Sequence, residues 1–410
     1  MWKIALTTFL TLTLLSVPAL GADVNKGLDL TALQKECAGK LKEFIERIAD
    51  KNANGGEGAI YYDDGVWRSR HNAANDPDIT KKWDPFYSVG GACAALWRYG
   101  NAGLDTPILN EKELEKYFNW AVRTMDRVIA DHCLEDGKIG REDIGPAPIS
   151  FLTELSTAYV DLAPALPKET ATRWRNVLEK SVAYYVNQGS LFNVEKQSSW
   201  YINGNYELNK LILAANMVEI FGKEKYGAFY EAQLNFAVRP TPENRWGRYG
   251  LRITQVPTET LGADGRGYFV EMQNDNYGWD GNYSSLQTDI ASIWFLTSGD
   301  PRAMTIMNML LNECVSRLAN NPTREEWMMI GKGGSRRDHD ILIMAPAVLV
   351  AAANGRTDIQ AKLPAFFREG FGWINGVIEQ GTIAPGHYRG FSFQLAGYLR
   401  ALDYARKLPK

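Results

Sequence analysis

The chain has 410 residues, of which 45% are hydrophobic and 11% aromatic, enough for a large core. Its formal net charge of −3 excludes a basic nucleic-acid-binding surface. Four scattered cysteines without a C-x-x-C, and only four histidines, exclude a zinc-ribbon or His-rich metal centre, and no cofactor is implied.

The first element is a leader. Met-Trp-Lys precedes the apolar run IALTTFLTLTLLSVPALG, and Ala19 and Gly21 occupy the −3 and −1 positions of a cleavage site before Ala22. This reads as a secretory signal peptide over 1–21, so residues 22–410 are expected to form one periplasmic or secreted domain, without a membrane anchor once the leader is cut. The alternative is an uncleaved anchor. An exported chain can oxidise Cys37, Cys93, Cys133 and Cys314, but Cys93 and Cys314 lie in apolar helical contexts that also suit free buried thiols.

The periodicity predicts twelve helices, over 30–50, 84–100, 111–132, 148–164, 169–188, 205–222, 224–238, 283–298, 301–320, 339–354, 357–379 and 390–407. Long connections rich in Gly, Asn, Trp and Tyr precede the even-numbered helices, and mostly short ones precede the odd. The even helices, such as SVGGACAALW (88–97) and ILIMAPAVLVAAA (341–353), are apolar nearly all round and read as buried. The odd ones, such as EKELEKYFNWAVRTMDRVI (111–129), carry a charged face and read as outer helices. Pro346 predicts a kink near Leu342. Antiparallel hairpins with this rhythm put every long connection at one end. The expected fold is therefore an all-α (α/α)6 toroid, complete or incomplete, with its site on the elaborated face.

Polar and aromatic residues crowd that face. QNDNYGWDGNYSSLQTD (273–289) supplies Tyr277, Trp279 and Tyr283, with Asp275 and Asp280 beside them; a plain capped helix start is the competing reading. SSWYINGNYELNKL (198–211) supplies Trp200, Asn203, Asn205, Tyr206 and Glu207, with Asn205 as a plain N-cap the alternative. GKGGSRRDHD (331–340) supplies Arg336, Arg337 and His339, with Asp338 a natural N-cap. The early loop offers Trp67, Arg70, His71 and Trp83, and the last one His387 and Arg389. Aromatic platforms with arginines suit sugar acids, because rings stack on sugar CH groups and guanidinium forks grip carboxylates. Glu154, on an apolar stretch, is either a cavity-facing acid or a paired core charge. No G-x-S-x-G, P-loop, dinucleotide fingerprint or H-E-x-x-H is present.

With the signal peptide and the helical ring, the stretch DGNYSSLQTDIASIWFLTSGDP (280–301) resembles the toroidal polysaccharide lyases that cleave polyuronates such as alginate and glucuronan. The resemblance implies an exported lyase acting on an anionic polysaccharide by β-elimination, as a monomer or homodimer. It implies carboxylate neutralisation by Asn203 or Asn205 with Arg337, and proton transfer by Tyr283, with Tyr206, Tyr277 and His339 as further candidates. The chain departs from the family's Asn-Asn-His motif, since NGNYE (203–207) has no His, and it lacks the appended β-sandwich of larger relatives. The alternatives are a glycoside hydrolase of uronides on the same toroid, with carboxylates drawn from Glu154, Glu207, Asp275, Asp280 and Asp340, and a non-catalytic glycan-binding protein.

Overall fold

The computed structural model describes residues 29–50, 60–63, 66–69, 86–140, 147–188, 191–192, 204–239, 250–270, 281–317, 345–361 and 385–408. Twelve helices occur among them: α1 (Leu30–Ala49), α2 (Phe86–Tyr99), α3 (Glu111–His132), α4 (Ala147–Leu162), α5 (Lys168–Asn187), α6 (Gly204–Phe221), α7 (Lys223–Ala237), α8 (Gly281–Ser298), α9 (Pro301–Ser316), α10 (Ala345–Ala353), α11 (Thr357–Gln360) and α12 (Pro385–Lys407).

The even helices form a closed ring. Helix α2 packs against α4, α4 against α6, α6 against α8, α8 against α10, α10 against α12, and α12 returns to α2. An odd helix backs each one: α3 behind α2, α5 behind α4, α7 behind α6, α9 behind α8, α11 behind α10 and α1 behind α12. This is the all-α toroid the loop rhythm predicts. The two helix classes differ for the expected reason. Leu208 and the run Leu211–Ala215 are buried on α6, and the described side chains of α10 are buried on every side. On α3 the buried set is Tyr117, Ala121, Thr124, Met125 and Ile129, one stripe at helical spacing.

Cross-ring contacts set the direction of the inner helices. Thr153, early in α4, donates to the carbonyl of Asn209, early in α6 (3.1 Å). Asn216, deeper in α6, donates to Ser156 and Thr157 (both 3.0 Å). A Cβ on Gly397, midway along α12, would lie 2.9 Å from Ile293 of α8, at the same depth. Tyr99 at the end of α2 meets Asp161 at the end of α4. The inner helices therefore run parallel, and their N-termini share one end of the ring. The approach at that end is close. A Cβ on Gly204, the first residue of α6, would sit 2.4 Å from Phe269 and 2.6 Å from Gln287 of α8, so glycine is required there.

Sequence-local signals close the outer layer. Asn110 and Glu113 form a reciprocal capping box on α3, and Asp29 caps α1 through the N–H groups of Thr31 and Ala32. Pro346 is the second residue of α10 as described; the kink expected at Leu342 lies outside the described residues. Helix α12 begins at Pro385, five residues before its expected start at 390.

Two hairpins, absent from the expectation, decorate the long connections. Strand β1 (Ile60–Asp63) pairs antiparallel with β2 (Val66–Ser69), with Tyr62 opposite Trp67. Strand β3 (Leu251–Gln255) pairs antiparallel with β4 (Arg266–Phe269), which packs on α9 and touches α8. All four cysteines are free thiols, with Cys37, Cys93 and Cys314 buried. Among the described residues no helix is long and apolar enough to cross a membrane.

One polar relay ties three helices together. Trp294, fully buried on α8, donates its indole N–H to Tyr230 of α7 (3.0 Å), and the Tyr230 hydroxyl donates to Asp300 (2.8 Å). Asp300 is the N-cap of α9, accepting from the Arg302 N–H (2.9 Å) and its guanidinium. Burial alone would raise the Asp300 pKa, but the Arg302 and Tyr230 hydrogen bonds outweigh it and hold the carboxyl below its usual range. The depressed folded pKa gives stability that is complete above the unfolded pKa and lost as pH falls through the folded one. Replacing Asp300 with Asn is expected to cost about 1–3 kcal/mol at neutral pH. Urea melts should show the gap to wild type closing below about pH 4. A gap independent of pH would exclude the ionised cap.

Candidate active site

Parallel inner helices direct their unpaired N–H groups and partial positive charge to one end of the ring, which favours anionic groups there. All the long connections enter at that end. The candidate site is therefore the end of the ring lined by the first halves of the inner helices. That wall is tightly buried. Among the described residues of these half-helices only Glu154, Asn205, Tyr206, Leu286 and Phe393 keep partial exposure, and they mark where the lumen opens.

Glu154 is the one carboxylate in that group. It projects from α4 toward α2, where Gly91 leaves space for it: a Cβ at residue 91 would lie 2.3 Å from Glu154 Oε2. Glycine in the middle of a helix costs roughly 0.5–1 kcal/mol relative to alanine, and at this position it provides the slot for the carboxylate. Asn205 and Tyr206 stand on the first turn of α6, next to Glu154's helix, and the Asn205 carbonyl accepts from Asn209 Nδ2 (2.7 Å). Tyr283 lies on α8 but is 7% exposed, packed into the wall.

Glu207, a sequence candidate for a hydrolytic carboxylate, faces away from the lumen. It is 2% exposed and is ion-paired to Arg239, just past the end of α7, at 2.9 Å. Burial raises its pKa, while Arg239, Lys210 and the Gly250 backbone N–H oppose that shift. Lys210, one turn on, is pushed down to about 7 by burial, with Glu207 resisting and Arg239 reinforcing the shift. These three charges anchor the segment that leads into the β3–β4 hairpin, so Glu207 is structural.

Three groups escaped the sequence reading. Asp289, inside the apolar run of α8, is fully buried. Burial pushes its carboxyl pKa well up, with only the Ala347 backbone N–H at the start of α10 favouring the ionised form. The only sequence signal was an acid in an otherwise apolar run. Asp161 and Arg400 form a buried ion pair (2.5 Å), and Tyr99 donates to the same carboxylate (2.9 Å). Asp161 and Arg400 stand 239 residues apart near the ends of two inner helices, and nothing in the local sequence connects them.

Of the remaining candidates, Trp67 stands on β2, and His387 and Arg389 fall in the first turns of α12. Asn203, His339, Arg336, Arg337, Tyr277, Trp279, Trp200, Arg70, His71 and Trp83 lie outside the described residues, as do Asp275, Asp280 and Asp340. No cluster of three or more metal-ligating side chains occurs among the described residues. A groove of about 760 Å³ between α3 and α5, lined by Ile129, Leu134, Lys168 and Arg173, is on the outer surface and away from the lumen.

No family model matches the chain, and no curated protein does. Among solved structures it is similar to a glycoside hydrolase family 76 mannosidase, Bt3792 from Bacteroides thetaiotaomicron VPI-5482. The TM-score is 0.43 and the identity 9%, over 90% of this chain and 98% of that one. The expectation of an alginate or glucuronan lyase is thereby corrected, since the similar structure is that of a hydrolase. The β-elimination scheme built on Tyr283, His339 and Arg337 is withdrawn with it. A likeness at 9% identity carries no activity across.

Gly91→Ala isolates the slot. The intruding methyl meets only the mobile end of Glu154, so the helix should hold or gain up to about 1 kcal/mol from the better helix former. Thermal melting should be unchanged or higher, while turnover falls by roughly tenfold as the carboxylate is displaced. Full turnover in a folded Gly91→Ala protein would show that the slot does not position Glu154 for chemistry.

Proposed function

We propose that the chain is a glycoside hydrolase acting on a uronate-bearing glycan in the ring lumen, with Glu154 as one of its two working carboxylates. The observation that carries this reading is Glu154 itself. It is the one described residue in the first half of α4 that solvent reaches, and it sits in a slot that Gly91 keeps open. An acid on an otherwise buried inner wall, at the end where the inner helices begin, is what hydrolysis of a glycosidic bond needs. One carboxyl group protonates the departing oxygen, and the other attacks the sugar or activates water.

The second carboxylate is drawn from Asp275, Asp280 or Asp340 on the connections that enter α8 and α10. Glu207 is unsuitable because Arg239 already holds it. Asn205 and Tyr206 are placed to hydrogen-bond sugar hydroxyls. Trp67, Trp83, Trp200 and Trp279 are the stacking platforms, and Arg70, Arg336, Arg337 and Arg389 are the partners of substrate carboxylates. The leader over 1–21 fits export toward an extracellular glycan.

Glu154→Gln keeps the size of the side chain and removes its ionisation. On a panel of neutral and uronate-bearing glycans, the wild type should release reducing ends. The variant should fold normally and lose roughly 10²–10⁴-fold in kcat, the scale for losing an acid–base carboxylate. Near wild-type turnover by Glu154→Gln would remove Glu154 from the reaction. Release of reducing ends only from neutral glycans would keep the hydrolase and overturn the uronate preference.

A further inference from the structure

A second built feature lies on the outer surface, away from the lumen. Helix α3 ends at His132, and the chain then reverses in a tight turn that its own backbone closes. Leu134 donates to the Lys138 carbonyl (2.8 Å), Gly137 donates to the Leu134 carbonyl (3.0 Å), and Cys133 bridges to Ile139. The turn is also pinned to α5. The Tyr185 hydroxyl accepts from the Ile139 N–H (3.0 Å) and donates to its carbonyl (3.1 Å). Gly137 has a φ of +94°, and a Cβ there would lie 2.4 Å from the Lys180 carbonyl oxygen, so only glycine fits.

This fixed turn holds Leu134 out in water. Leu134 is 52% exposed, one of two large hydrophobic side chains so exposed among the described residues. It stands on the rim of the groove between α3 and α5, which Ile129 and Val177 also line. A lone exposed leucine is ordinary on a protein surface. Here it is held in place beside a groove, so one patch carries both a knob and a hole. Two copies related by a two-fold axis need both on the same surface.

The charges of the patch are self-complementary in the same way. Lys168 and Glu169 stand at one end of the groove. Glu135 and Lys180 stand at the other, where the Lys180 ammonium lies 3.5 Å from the Glu135 carbonyl oxygen. Lys168 and Lys180 are about 18 Å apart along α5. All four side chains are exposed, and none forms an ion pair among the described residues. Arg173, between the two ends, is already held by Asp126 (2.6 Å). A two-fold axis across the middle of the groove brings Lys168 to Glu135 of the second copy and Glu169 to its Lys180. Opposite charges then meet at both ends. We propose that this groove is the face through which two copies of the chain associate, each Leu134 seated in the groove of the other. A contact centred on one knob and one groove per copy lies at the small end of interfaces, roughly 1,200 Å² or less in total, so the dimer is weak and exchanges with monomer at micromolar concentration. The proposal is independent of what the lumen does.

The test is sedimentation velocity over a concentration series from low to high micromolar. The wild type should pass from monomer to dimer. Leu134→Glu changes an exposed position, so it should leave the thermal melt in place and weaken association by roughly tenfold or more, the scale for losing a central contact. Lys168→Glu should also weaken association, by setting like charges against each other. Adding Glu135→Lys to the same chain should restore it, because the swap rebuilds the pair in a symmetric dimer. A wild type that stays monomeric at every concentration would overturn the proposal and leave the groove to a different partner. A dimer unaffected by Leu134→Glu would overturn it too, since the copies would then meet through another face. A swapped chain that associates no better than Lys168→Glu alone would overturn the two-fold pairing.

Discussion

Closing six buried helices into a ring forces a choice of direction on all of them. Each inner helix is too apolar to face water, so each has to be covered by two ring neighbours and an outer partner, and the chain supplies that partner by turning back after every pass. The result is six parallel helices whose free N–H ends meet at one rim. The long connections have nowhere else to go. The end at which the inner helices begin, and the partial positive charge gathered there, both follow from this one packing constraint.

The polar groups of the ring show what the constraint costs. A charge in such a setting is tolerated only when paired. Asp161 has Arg400, and Glu207 has Arg239. Asp289 has only the α10 backbone beside it and is pushed toward its neutral form. Glu154 differs from these three because solvent reaches it and a glycine in the neighbouring helix leaves it room. The proposed catalytic role of Glu154 rests on that difference.

The ring was legible in the chain because two independent patterns agreed, the alternation of long and short connections and the alternation of apolar and amphipathic helices. The hairpins were missed because aromatic and Gly-rich stretches read as loop, although Asp64-Gly65 between two aromatic runs is a hairpin turn signal. At the site, Glu154 was visible as an acid on an apolar helix, but the choice between core charge and cavity acid depended on Gly91, which helical periodicity does not connect to it. Glu207 looked equivalent in sequence. Arg239, beyond the next helix, decides against it. The lyase reading failed for a related reason. An Asn or Asp before an apolar run is also an ordinary helix cap, so the 280–301 stretch carried information about fold rather than reaction.

The central claim, that this lumen adds water across a glycosidic bond, is tested most directly by digesting a uronate-bearing glycan in oxygen-18 water and weighing the products. Hydrolysis predicts one heavy oxygen at the anomeric carbon of each newly formed reducing end, none at the new non-reducing end, and saturated sugars throughout. Products lacking the heavy oxygen and carrying a C4=C5 double bond would contradict the account.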